Sequence, residues 1–233
     1  GAALASSESG ARTVLVERDT RLGGTTVSAE VLMMGLFHAW RKQVIAGPGW
    51  ALVTNAVALA GGALPDFSKQ ESRNWMGSCV TVNPVIYSAL AEETLARAGV
   101  TLVLSTSVCG AERTADGWRL KLASDEGVRT VDVRQVVDAT GNAAIAALAG
   151  AERVKSADAV RQPGSFFFHL NTAGRAVDAA ALDSAHREAV AKGELLATDV
   201  HIRMSDFVKY GGGWGCYVPL ADNSTASARA ETN

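Results

Sequence analysis

Glu17 is the first residue whose type and position suggest chemistry. It closes a short apolar run, Thr13-Val14-Leu15-Val16, rich in β-branched residues. Such a run predicts a strand buried on both faces of a parallel sheet. An acid at the end of that strand can accept hydrogen bonds from both hydroxyls of an adenosine ribose, and its charge would repel a 2′-phosphate. Upstream, Gly1 to Ser9 is made of small, helix-compatible residues that let a helix sit close to a sheet, and Gly10 ends it as a C-terminal cap would. Helix, glycine, buried strand and acid, in that order, are the second half of a βαβ dinucleotide-binding unit. Its opening strand and G-x-G-x-x-G loop are expected just before Gly1. A bare acid after a strand is equally compatible with a solvated charge in a βα loop.

Three further segments bear on that choice. In Arg21-Leu22-Gly23-Gly24-Thr25-Thr26 two adjacent glycines allow close backbone approach and positive φ, and two hydroxyls stand beside them. A stretched cofactor with a pyrophosphate and a ribityl chain needs such a surface; an ordinary glycine turn is the alternative. In the second segment Asn83 and Pro84 predict a capped helix start. Leu90 and Leu95 continue the helix to Gly99, and Val100 to Leu104 predicts another buried strand. The chain then passes Ser105 to Val108, where a backbone can meet an adenine ring; a plain αβ unit without ligand is the alternative. In the third segment Val136-Val137 leads into Asp138-Ala139-Thr140-Gly141, a strand end able to bring its backbone against a ligand at the carboxyl edge of a sheet. Between the second and third lie alternating pieces around Val108, Trp118 to Leu122 and Val128 to Val131. Turn signals at Asp116-Gly117 and Glu126-Gly127 separate them, which predicts a small antiparallel meander in place of a crossover helix.

Together these segments resemble the FAD-dependent oxidoreductase family related to the fumarate reductase and succinate dehydrogenase flavoproteins. The resemblance rests on Val14-Leu15-Val16-Glu17-Arg18, Leu22-Gly23-Gly24-Thr25, Asn83-Pro84 with its helix, Val108 and Val137-Asp138-Ala139-Thr140-Gly141. It continues into Ala146 to Ala151 and Gln162 to Phe168. It implies an α/β, Rossmann-like fold of the glutathione-reductase type, with the meander and an inserted substrate-binding region, incomplete at both ends. It implies FAD as cofactor. Carried over by position, Glu17, with Arg18 beside it, would hold the ribose. Gly23, Gly24, Thr25 and Thr26 would line the flavin or pyrophosphate side. Val108 would meet the adenine through its backbone, and Thr140 and Gly141 would approach the pyrophosphate. Asn142-Ala143-Ala144 stands where relatives often keep a glycine- and acid-rich turn. The expected FAD domain is discontinuous, residues 1–29 and 84–150, with 30–83 and 151–233 on the substrate side.

Composition narrows the function classes. The net charge is −2, with 20% charged and 48% hydrophobic residues. That supplies a sizeable core and no basic tract for nucleic acid. No apolar run approaches a bilayer span, and no secretory signal is visible. The cysteines, Cys79, Cys109 and Cys216, are odd in number and far apart, which argues against a disulfide framework and places the chain, by default, in the cytoplasm. His38, His169, His186 and His201 share no metal-binding spacing. His186 is expected solvated, His169 in a core or pocket wall, and Gly211 to Gly215 in a hairpin turn. Met33 to Phe37 reads as an apolar stripe, by default core, with a place near the flavin ring as the alternative. No catalytic acid or base stands out. The function expected of the full-length protein is hydride or electron transfer between a small-molecule substrate and flavin, with the electron acceptor undetermined; the present chain is expected to be inactive alone. A non-catalytic nucleotide-binding module and an NAD-binding dehydrogenase domain are the alternatives.

Overall fold

A computed structural model describes residues 1–69, 75–152, 176 and 178–195 of the chain. The chain divides into two units, Gly1–Val154 and Lys155–Asn233, and the first is a mixed α/β assembly. Helix α1 (Ala2–Glu8) stops where Gly10 takes φ +85° and donates its N–H to Ser7 O. Strand β1 (Val14–Val16) follows. Next come β2 (Met33–Met34), β3 (His38–Ala39), β4 (Lys42–Gln43), α2 (Pro48–Leu59) and β5 (Val80–Thr81). β2 pairs antiparallel with β5, and β3 with β4 in a tight hairpin whose tip, Trp40-Arg41, has positive φ at both residues. Helix α3 (Pro84–Arg97) starts as the sequence predicts: Asn83 Oδ1 accepts from the N–H groups of Val85 and Ile86 at 3.0 and 3.1 Å, satisfying donors that a helix start leaves open.

β6 (Thr101–Val103) then returns alongside β1, parallel and in register from Val14↔Thr101 to Val16↔Val103. Both helices pack against this pair. Leu22, Leu95 and Val100 are buried together, with Ala3, Leu4, Leu15, Ala91 and Leu102 against them. The Ser7 hydroxyl ties α1 to Ala98 O at 2.5 Å. A second core gathers Val53 and Val57 of α2 with Val80 and Val82, and the half-buried Met34 and Phe37 of the Met33–Phe37 stripe pack against it.

The meander forms as predicted: β7 (Ser107–Arg113), β8 (Trp118–Ser124) and β9 (Gly127–Val133), all antiparallel. Gly117 is required at its first turn, because a Cβ there would lie 2.1 Å from Val133 O. The register steps between Val108 and Gly110, leaving Cys109 as the extra residue of a bulge. Short helix α4 (Ala144–Leu148) closes the third core, with Ile145 on Ala111 and Leu120.

Two local expectations change. β1 is not buried on both faces: Val14 is 48% exposed, while Leu15 enters the core. Successive strand side chains alternate, and the face carrying Val14 is open among the described residues. Val136-Val137 is not a strand. β9 ends at Val133, and Val137 is 70% exposed. A strand needs a hydrogen-bonded neighbour, and among the described residues β1 has only β6 and nothing pairs with 134–139. Val136 instead packs on the meander core.

In the second unit the described element is α5 (Ala179–Lys192), capped by the Asp178 carboxylate and by Gly193 at φ +74°. His186 on it is half-buried rather than solvated. The expectations for Gln162–Phe168, His169, His201, Gly211–Gly215 and Cys216 lie outside the described residues. Among the described residues no helix is long and apolar enough to cross a membrane.

Candidate dinucleotide site

The carboxyl ends of β1 and β6 stay joined past the strands. Glu17 N donates to Val103 O at 2.9 Å, Thr106 N to Glu17 O at 3.0 Å, and Ser105 N to Asp19 O at 2.9 Å. The backbone of Glu17 is therefore fixed on both sides, and the 104–106 segment is carried across it. Its half-buried side chain turns back along the chain, where Oε1 accepts from Asp19 N at 3.0 Å. Among the described residues no donor engages Oε2. Arg18 points outward with 78% of its side chain exposed, 3.9 Å from Asp19 Oδ1. Asp19 Oδ2 accepts the Ser28 hydroxyl at 2.7 Å and so closes the loop between them.

Within that loop Leu22 is an anchor, 6% exposed. The chain then turns through Gly23 at φ +127° and Gly24 at φ +47° into a single 3-10 turn, Gly24–Thr26. Thr26 N donates to Gly23 O and Val27 N to Gly24 O, each at 3.1 Å. Thr25 is exposed and Thr26 half-buried. A Cβ at Gly24 would meet no atom within 4 Å.

Val108 is half-buried, paired with Leu122 across β7–β8, and its side chain packs in the meander core. The other edge of β7 has no strand beside it among the described residues. The loop beyond is organised by Asp138. Its Oδ1 accepts both the N–H (3.0 Å) and the hydroxyl (2.6 Å) of Thr140, and its Oδ2 accepts Ala146 N at 2.9 Å. The Thr140 hydroxyl also accepts Ala144 N at 2.8 Å. The Thr140 hydroxyl and these N–H groups hold the Asp138 carboxyl below its ordinary pKa. The N–H and the hydroxyl of Thr140 thus face the loop's own interior. Gly141, at φ +79°, leaves open space where a Cβ would stand.

These contacts tie Glu17 to Thr106, just before β7, and the Thr140 loop to α4, whose Ile145 belongs to the core that Val108 packs against. The Gly23–Thr26 turn is tied to the β1–β6 pair through Leu22. Three residues that sequence reasoning did not assign help build these loops: Asp138, Ser88 and Glu92. The last two reach the backbone of Leu22 from α3. Asp138 had a signal, an acid two residues before a threonine, a spacing that favours such a side-chain-to-backbone turn.

A family profile described as FAD dependent oxidoreductase matches residues 1–211. The chain belongs to the FAD-dependent oxidoreductase family. Its cofactor is FAD, and the residues present suit that group. Glu17 offers an acceptor oxygen at the joined strand ends, and Gly24 and Gly141 leave open space for close backbone approach. Among solved structures, the chain is similar to CabE, an aromatic hydroxylase from angucycline biosynthesis, with 15% identity and a TM-score of 0.35. The likeness covers 55% of this chain, which spans 26% of that one. No curated protein matches.

Proposed function

We propose that this chain is part of a flavin oxidoreductase that moves hydride or electrons between a small-molecule substrate and FAD, in a Rossmann-like domain made of residues 1–29 and 84–150. In this reading Glu17 accepts hydrogen bonds from the ribose, and Val108 meets the adenine through the open edge of β7. Gly23, Gly24, Thr25 and Thr26 line the pyrophosphate or flavin side, with Arg18 at the mouth. Thr140 shapes its loop through Asp138, and Gly141 presents backbone to the pyrophosphate. When bound, FAD supplies the redox chemistry, and the protein supplies binding, orientation and electrostatics. Residues 30–83 and 151–233 would build the substrate side. Similarity to the fumarate reductase and succinate dehydrogenase flavoproteins is the finer placement, supported by the Leu22–Thr25 and Asp138–Gly141 motifs.

The observation that carries the reading is Glu17. It sits where two parallel strands end together, its backbone locked into both, with one carboxylate oxygen engaged by Asp19 N and no donor on the other among the described residues. Titrating FAD into flavin-free protein tests it. Glu17→Ala removes hydrogen bonds to a charged acceptor, a loss of about 1.5–3 kcal/mol, or roughly 10- to 150-fold in affinity. Glu17→Gln keeps an acceptor oxygen and loses less. With the expected upstream strand and glycine loop restored, equal affinity for wild type and Glu17→Ala removes Glu17 from the site, and no flavin uptake by either refutes the reading.

A further inference from the structure

Ser88, Glu92 and Leu95 are spaced four and three apart on α3, so they share one face of the helix. Leu95 is in the core beside Leu22 and Val100. An inward face would ordinarily continue apolar, but its other two residues are polar, and Ser88 is only 5% exposed. What they meet explains the choice. Burying the Leu22 side chain carries the N–H and C=O of Leu22 inward with it, and unpaired backbone groups there are costly. The Ser88 hydroxyl donates to Leu22 O at 2.7 Å, and Glu92 Oε1 accepts from Leu22 N at 3.3 Å. Ser88 Oγ also lies 3.4 Å from Glu92 Oε1. A hydroxyl has one proton to give, and the 2.7 Å contact takes it. Thr94, on the same helix, makes the contrast: its hydroxyl folds back onto Leu90 O within the helix, the usual habit of such residues. Ser88 reaches out of its helix to a loop 66 residues away in sequence.

From this geometry we propose that Ser88 and Glu92 are positioning residues for the Gly23–Thr26 turn, acting through Leu22. Both backbone polar groups of Leu22 are held, so the plane in which the chain enters Gly23 is set by α3. From the other side the turn is set by Val27, which is 2% exposed and stands against Gly23. The turn thus enters any complex already shaped, with less ordering left for a ligand to impose. The part of this inference that concerns the cofactor rests on the flavin reading above; the part that concerns the turn does not.

Amide hydrogen exchange on the flavin-free full chain tests it. In Ser88→Ala and Glu92→Ala the segment 20–28 is expected to exchange about tenfold faster, as the loss of one buried hydrogen bond implies, with the β7–β9 meander unchanged. Glu92→Gln, which keeps the acceptor oxygen, restores protection. Glu93→Ala, one position round the helix where Glu93 pairs with Arg97, leaves the segment as in wild type. Unchanged exchange in Ser88→Ala and Glu92→Ala overturns the proposal, and so does an increase spread evenly over the chain. A parallel FAD titration separates the two readings. Affinity falling in Glu92→Ala and recovering in Glu92→Gln extends the positioning role to the cofactor. Failure of wild-type protein carrying the expected upstream strand and glycine loop to bind FAD refutes the flavin reading, while the exchange data still decide the role of Ser88 and Glu92.

Discussion

Replacing Gly23 and Gly24 one at a time separates backbone strain from steric overlap at neighbouring positions. At Gly23 the backbone has φ +127° and ψ −11°, a conformation that costs a side-chain-bearing residue about 1–3 kcal/mol. An added methyl would also lie 2.1 Å from Val27 Cγ2 and 2.7 Å from Val27 Cβ. Val27 is 2% exposed, so it cannot swing into solvent, and overpacking of this kind costs a further 1–3 kcal/mol or so. Gly23→Ala is therefore expected to destabilise the protein by roughly 2–6 kcal/mol. At Gly24 the backbone lies in the left-handed region, φ +47°, and a methyl would touch nothing. Gly24→Ala should cost only about 1–2 kcal/mol. Urea unfolding followed by circular dichroism, with the slope checked for constancy, measures both. A Gly24→Ala variant as unstable as Gly23→Ala, or a Gly23→Ala variant with the wild-type midpoint, would refute the argument that Val27 closes the turn.

Gly117→Ala should be at least as damaging as Gly23→Ala, because the added methyl would meet backbone, 2.1 Å from Val133 O and 2.8 Å from Arg134 Cα, and backbone yields less readily than a side chain; the same urea titration reads it. For Asp138 the expected behaviour is pH dependence. Its folded pKa is lowered from 3.8, so its contribution is fully present above 3.8 and is lost as pH falls through the lower folded value. The amide resonances of Thr140 and Ala146 should hold steady from neutral pH down to that region and move only in stronger acid. In Asp138→Asn the acid-dependent movement should vanish, and a transition of these amides near neutral pH in wild type would contradict the assignment.

The sequence was most legible where a single signal decides a local structure. The β-branched run at Val14–Val16, the Asn83-Pro84 start and the glycine turns of the meander each act through their own backbone, and each element formed where expected. Legibility failed where a segment depends on a neighbour. Val136-Val137 has strand-forming residues, yet without a ladder partner among the described residues it is no strand. Val14 reads as buried from its company, but its exposure depends on what covers that face. In the site the motif residues were visible because glycine, threonine and a terminal acid announce themselves. Ser88 and Glu92 were not, since a serine and a glutamate on a helix look solvent-facing until the backbone of Leu22 is known to lie beneath them.

The bulge in β7 leaves an unequal count between facing residues. Val108 and Ala111 are three apart and face Leu122 and Leu120, which are two apart. The surplus residue is Cys109, whose thiol donates to Lys121 O on the exposed side at 3.4 Å. A chain lacking Cys109 would keep Val108 opposite Leu122 and Ala111 opposite Leu120, now with the ordinary alternation of a flat ladder. Every inward residue would stay inward, and only the local twist would relax. Loss of the residue at this point of the strand would thus avoid the one-residue flip that a deletion elsewhere in it imposes on every side chain beyond.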